Sequence, residues 1–144
     1  MPGESAYIDT SVLGAYYCPE ALSAKAEDTL REISTPVISL LSEVEFASLI
    51  SRKRRLKELS LKEAKEIIDL FGNHVAEGSY RRLAVTTEHF LKARQLLTSS
   101  DASLHTLDAL HLALATAENI ALMTADRDLA KAARLLKTNV ILIK

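Results

Sequence analysis

The sequence predicts an α/β domain built on a mainly parallel central sheet with helices on both faces. Three observations carry that prediction. Short β-branched runs alternate along the chain with longer segments of helical period. The strands so marked are too far apart for hairpins, so crossovers must join them, and crossovers place helices on a parallel sheet. The chain has 144 residues, 48% of them hydrophobic, which suits one domain with a substantial core.

Each element follows in order. Tyr7-Ile8-Asp9 reads as the end of a first strand. Leu22, Ala26, Leu30 and Ile33 then fall on one helical face. Val37-Ile38-Ser39 forms a second strand, and Ser42 with Glu45 has the spacing of a capping box at the head of the next helix. Leu61, Ala64, Ile68 and Phe71 mark another helical face. Arg82 to Val85 predicts a weaker fifth strand before a helix that begins near Thr87. Leu107 to Ala115 is apolar almost all round, which predicts a helix packed between layers. Ile120–Thr124 and Val140–Ile143 complete the strands. No repeat, linker or low-complexity stretch interrupts the pattern, so residues 1–144 are expected to form one domain.

Composition narrows the function. The longest apolar runs, Ala109–Ala115 and Val140–Ile143, fall well short of the ~20 residues that cross a bilayer. Glu4 and Asp9 occupy the region where a secretory signal carries basic and then apolar residues. Cys18 is the one cysteine and lies in no zinc-binding spacing. A cytoplasmic protein is expected. The formal charge of −1 argues against general attraction to nucleic acid. Basic residues nevertheless cluster at Arg52, Lys53, Arg54, Arg55 and Lys57, and again at Arg81 and Arg82. These read either as solvated helix ends or as a phosphate-binding rim.

In a parallel sheet the site lies outside the carboxyl ends of the strands, and acids stand there. Asp9 closes the first strand and Asp126 follows a later one; each reads as a helix cap or as a ligand. Glu45 follows the second strand, with Glu43 competing for the same role. Asp108 heads the apolar helix, where an unpaired carboxylate costs several kcal/mol unless a cation or donors meet it. His111, one turn further on, reads as a hydrogen-bonded core histidine rather than a ligand. All four acids can reach one sheet edge. Oxygen ligands without cysteine favour Mg²⁺ or Mn²⁺, ions suited to phosphodiester chemistry.

Four ordered segments carry a resemblance. They are Tyr7-Ile8-Asp9-Thr10-Ser11-Val12-Leu13, Ser42-Glu43-Val44-Glu45-Phe46-Ala47-Ser48, Leu107-Asp108-Ala109-Leu110-His111-Leu112-Ala113 and Thr124-Ala125-Asp126-Arg127-Asp128-Leu129-Ala130. Together, across nearly the whole chain, they resemble the motifs of PIN-domain proteins, especially VapC-type toxins. The resemblance implies a three-layer αβα sandwich and a Mg²⁺- or Mn²⁺-dependent endoribonuclease acting on RNA. It also implies a homodimer and a VapB-type antitoxin as partner. Carried over residue by residue, it implies Asp9, Glu45, Asp108 and Asp126 as the catalytic and metal-binding acids, with Thr10, Ser11 and Thr124 as supporting oxygens. His105 stands where many relatives carry Arg, and Asp128 adds a fifth acid nearby.

Other functions remain open on sequence. One is a PIN nuclease of RNA maturation without an antitoxin, and another is an inert acidic pocket that receives a basic peptide. A phosphoacceptor receiver would need a Lys after a late strand, and no segment matches that pattern.

Overall fold

The computed structural model describes residues 4–99 and 101–144. The described chain runs β1 (Glu4–Ile8), α1 (Thr10–Tyr17), α2 (Ser23–Arg31), β2 (Ile33–Ser39), α3 (Leu40–Arg55), α4 (Leu61–Ala76), β3 (Arg81–Leu83), α5 (Thr87–Thr98), α6 (Thr106–Ala117), β4 (Ala121–Thr124), α7 (Arg127–Leu135) and β5 (Val140–Leu142). The five strands form one sheet in the order β3-β2-β1-β4-β5, and every neighbouring pair is parallel.

Alternation along the strands makes this a three-layer structure, as the sequence predicts. Ala6, Ile8, Ile38 and Met123 point to one face, where they pack with Val12 and Leu13 of α1, Ala26 of α2, Phe46 and Ile50 of α3 and Phe71 of α4. Tyr7, Val37 and Leu122 point to the other, against Ala93 and Leu96 of α5, the run Ala109–Ala115 of α6, and Leu129 and Ala133 of α7. Each large apolar side chain so enclosed contributes roughly 1.5–3 kcal/mol of burial. The apolar helix α6 is fully covered from Ala109 to Ala115, as its all-round hydrophobicity requires.

Two local expectations are corrected. Ile33 continues the helical spacing of Ala26 and Leu30, yet it opens β2, and Leu22 is the N-cap of α2. All four still pack against the same core, so the spacing recorded a shared burial and not a shared helix. The capping box also moves. No loop separates β2 from α3, and Ser39 and Ser42 cap each other: the Ser42 N–H donates to Ser39 Oγ (3.3 Å) and the Ser39 N–H to Ser42 Oγ (3.1 Å). Glu45 is thereby released from any capping duty. It projects from the second turn of α3.

The order of strands fixes where a site can form. The chain moves outward from β1 through β2 to β3, then crosses to β4 and β5 on the other side. The crevice between the carboxyl ends of β1 and β4 is the topological switch point, where α/β sheets bind ligands. Asp9 directly follows β1, and Asp126 lies two residues beyond β4.

Candidate functional site

Asp9 is the N-cap of α1, but its side chain does not cap that helix. Instead its Oδ2 accepts from Ser11 Oγ at 2.6 Å and from Thr124 Oγ1 at 2.9 Å. Those two hydroxyls also accept the N–H groups of Ala125 and Asp126, each at 3.0 Å. The Asp9 N–H donates to the Met123 carbonyl at 2.9 Å. The ends of β1 and β4 are thus locked together around one nearly buried carboxylate, 6% exposed.

Asp126 does cap its helix: Oδ1 accepts from the N–H groups of Asp128 (2.9 Å) and Leu129 (3.2 Å). The capping reading and a role at the site are compatible, because both donors use one carboxylate oxygen. Asp128 contributes its backbone to that cap, and its side chain is exposed.

Asp108 lies in the first turn of α6 and is half-buried. Burial pushes its carboxyl above the usual value, and the charges of Asp9 and Asp126 push it further, against weaker opposition from His105 and its backbone. His105 Nδ1 stands 3.5 Å from Asp108 Oδ2 and is almost wholly exposed. Asp108 therefore feels the charges of both Asp9 and Asp126. A cleft of about 650 Å³ is lined by Glu45, His105, Asp108 and Asp126 among others.

Glu45 closes the cleft from α3. Its Oε1 accepts from Thr10 Oγ1 at 2.8 Å and from His111 Nε2. Burial pushes its carboxyl up, but the hydrogen bond and charge of His111 and the Thr10 hydroxyl outweigh that and hold it below the usual value. Glu43 is elsewhere. It forms a two-pronged pair with Arg82, whose Nε and Nη2 donate at 2.8 and 3.0 Å. Arg81 is likewise paired, with Glu118 at 2.6 Å, so the second basic pair is bound to acids.

The donor set consists of carboxylate and hydroxyl oxygens without thiolate, which fits a hard divalent cation. Among the described residues, no three His, Cys, Asp or Glu side chains are grouped so that they could hold a metal ion between them. Each acid is turned toward a donor of its own: Asp9 to hydroxyls, Asp126 to the α7 backbone, Glu45 to His111 and Thr10, and Asp108 to His105. Mg²⁺ tolerates such an open arrangement, since it keeps several waters and needs few protein carboxylates.

His111 is the residue whose part exceeds the sequence expectation. It is a core histidine, 1% exposed, as expected. Sequence reasoning did not find its partners, because Tyr7 and Glu45 lie 104 and 66 residues away along the chain. The Ser39-x-x-Ser42 spacing was the one local signal of the polar cluster they join.

Comparison with known proteins adds a family and a set of structural neighbours. A family model described as "PIN domain" matches residues 6–135. No curated protein sequence matches the chain. VapC20 of Mycobacterium tuberculosis, described as a sarcin-ricin loop cleaving toxin, superposes with a TM-score of 0.69 at 19% identity, covering 88% of this chain and 94% of that one. VapBC2 of Rickettsia felis, solved bound to a fragment of its promoter DNA, gives 0.70 at 15% identity, with 97% and 99% covered. VapBC-5 of Mycobacterium tuberculosis, from the VapBC family of toxin-antitoxin systems, gives 0.64 at 14% identity, with 98% of each covered.

Proposed function

This chain belongs to the PIN-domain family, and from that premise we propose that it is a Mg²⁺- or Mn²⁺-dependent endoribonuclease, the toxin of a VapBC-type pair. The observation that carries the reading is the placement of Asp9, Asp108 and Asp126 around the switch point of the sheet, where burial, and after it the charges of Asp9 and Asp126, raise the Asp108 carboxyl. A site that accumulates negative charge it does not neutralise is suited to a cation.

In this reading Asp9, Asp108 and Asp126 hold the ion, with Glu45 on the opposite wall. The bound ion supplies an activated water and neutralises charge developing on the phosphodiester. Ser11 and Thr124 fix Asp9 in place, and Thr10 with His111 fixes Glu45. The RNA backbone approaches along α3. Glu45, Ser48 and Arg52 lie on one face of that helix and line a second cleft, of about 320 Å³, that shares Glu45 and Leu107 with the acid cleft. Arg52 is thus the member of the basic cluster best placed to meet a phosphate. Lys53 turns instead toward Glu20 at 3.9 Å, and Arg55 donates to Ser51 at 2.8 Å.

An antitoxin of the VapB type would present an Arg or Lys to the same acids, replacing the ion's charge and blocking the RNA path. We further assign the protein to the cytoplasm as a homodimer. Among the described residues, no helix is long and apolar enough to cross a membrane.

The test is incubation of purified, antitoxin-free protein with total RNA in Mg²⁺, in Mn²⁺ and in chelator. Discrete fragments that need the metal are expected. RNA left intact in all three conditions would contradict the proposal and favour an inert acidic pocket.

A further inference from the structure

Behind Glu45 lies a buried polar chain centred on Tyr7 and His111. Tyr7 Oη sits 2.8 Å from Ser39 Oγ, 3.2 Å from Ser42 Oγ and 2.6 Å from His111 Nδ1. His111 Nε2 meets Glu45 Oε1. Tyr7, Ser39, Ser42 and His111 are all buried, and no described buried side-chain N or O atom lacks a partner. The members come from β1, β2, α3 and α6, which include the three elements that bring Asp9, Glu45 and Asp108 to the cleft. His111 itself lies three residues after Asp108 on the same helix.

The proton inventory gives this chain a direction at its end. An ionised carboxylate only accepts, so the Nε2 facing Glu45 must carry a proton, whichever way the Nδ1 contact with Tyr7 runs. A protonated Nε2 has no lone pair left for a metal. His111 is therefore turned to Glu45 as a donor, with Tyr7 gripping its other nitrogen and fixing the plane of the ring.

We propose that His111 is a positioning residue, held by Tyr7 at Nδ1, whose Nε2–H sets the rotamer of Glu45 and leaves the carboxylate's other oxygen to the cleft. Thr10 completes the grip, since its hydroxyl shares Glu45 Oε1. A glutamate on the second turn of a helix has three free rotors. Without a fixed donor it would sample the cleft and not occupy one place in it. The inference rests on the proposed role of Glu45 at an RNA-cleaving site, and its test separates the two.

The decisive comparison is His111→Ala made in the wild-type protein and in Glu45→Ala, with His111→Gln and Asp9→Asn alongside. RNA cleavage with Mn²⁺ should fall about 10–100-fold in His111→Ala, the scale of removing a partner that orients a side chain at a metal site. His111→Gln keeps an N–H near the Nε2 position and should recover part of that loss. In the Glu45→Ala background the same His111→Ala change should cost little more, because its effect passes through Glu45. Equal losses in both backgrounds, or wild-type cleavage by His111→Ala, would overturn the positioning role. Nitrogen NMR of His111 reads the arrangement without any activity. A protonated, hydrogen-bonded Nε2 whose signal moves in Glu45→Ala but not in Glu43→Ala supports the proposal, and an Nε2 indifferent to Glu45 overturns it. If the wild type cleaves no RNA, or Asp9→Asn cleaves like the wild type, the functional reading fails, and the NMR result alone decides the contact.

Discussion

Glu45 and Asp108 face one cleft from opposite walls, and the protein treats them in opposite ways. Glu45 is met by two donors of the chain's own, Thr10 and His111, which outweigh its burial and hold its carboxyl low. Asp108 is half-buried beside two further carboxylates, opposed only weakly by the exposed His105 side chain 3.5 Å away and a backbone hydrogen bond at His105. No comparable pair of donors offsets the charges that Asp9 and Asp126 add at Asp108, and in the proposed reading a bound cation would do so.

The largest expected effect lies with the three aspartates. Asp9→Asn, Asp108→Asn and Asp126→Asn should each lower RNA cleavage by about 10²-fold or more, the scale of losing one preorganised electrostatic element. Glu45→Gln should cost clearly more than Glu43→Gln, since Glu43 is engaged by Arg82 away from the cleft. A reversed order in a cleavage assay would move the site acid to Glu43.

Stability offers a second way to break the comparison. The raised carboxyl of Asp108 means that its charged form is disfavoured on folding. Its contribution to stability is present at low pH and is lost as pH rises from the usual carboxylate value through the raised one. Glu45 has the opposite sign. Its lowered carboxyl contributes stability above the usual value, lost as pH falls through the lowered one. Without metal, Asp108→Asn should therefore raise the melting temperature at neutral pH, by about 3–6 °C for each kcal/mol relieved, whereas Glu45→Gln should lower it. Thermal melts across pH check both signs. Asp108→Asn lowering the metal-free melting temperature would mark Asp108 as a structural cap.

The smallest expected effect is on the rim. Arg52→Ala should flatten the dependence of RNA binding on salt by about 0.7 log units per log unit of salt, one phosphate contact on single-stranded RNA. Arg55→Ala should leave the slope unchanged. Equal slopes in both variants would return the whole cluster to solvated helix.

Much of this arrangement is legible in the sequence, for physical reasons that differ by element. The strands announce themselves because both sheet faces are covered, which demands continuous apolar runs at Val37-Ile38 and Leu122-Met123. Asp9 and Asp126 are legible because strand-end acids sit at fixed offsets from those runs. Ile33 misleads because helical spacing and burial against a common core look alike in a short window. The box expected at Ser42 and Glu45 misleads because α3 follows β2 without a loop, and no local pattern reports a missing loop. The pairing of His111 with Glu45 and Tyr7 is invisible to any window, since only the crossovers bring those side chains together.

Binding of Mn²⁺, followed by electron paramagnetic resonance in wild type, Asp108→Asn and Glu45→Gln, tests the asymmetry of the cleft most directly. The account predicts that Asp108→Asn weakens binding by about 10-fold or more, while Glu45→Gln changes it less, because Glu45 already spends one oxygen on Thr10 and His111. Binding that survives Asp108→Asn intact and collapses in Glu45→Gln would place the ion on the α3 wall and contradict the division drawn between the two.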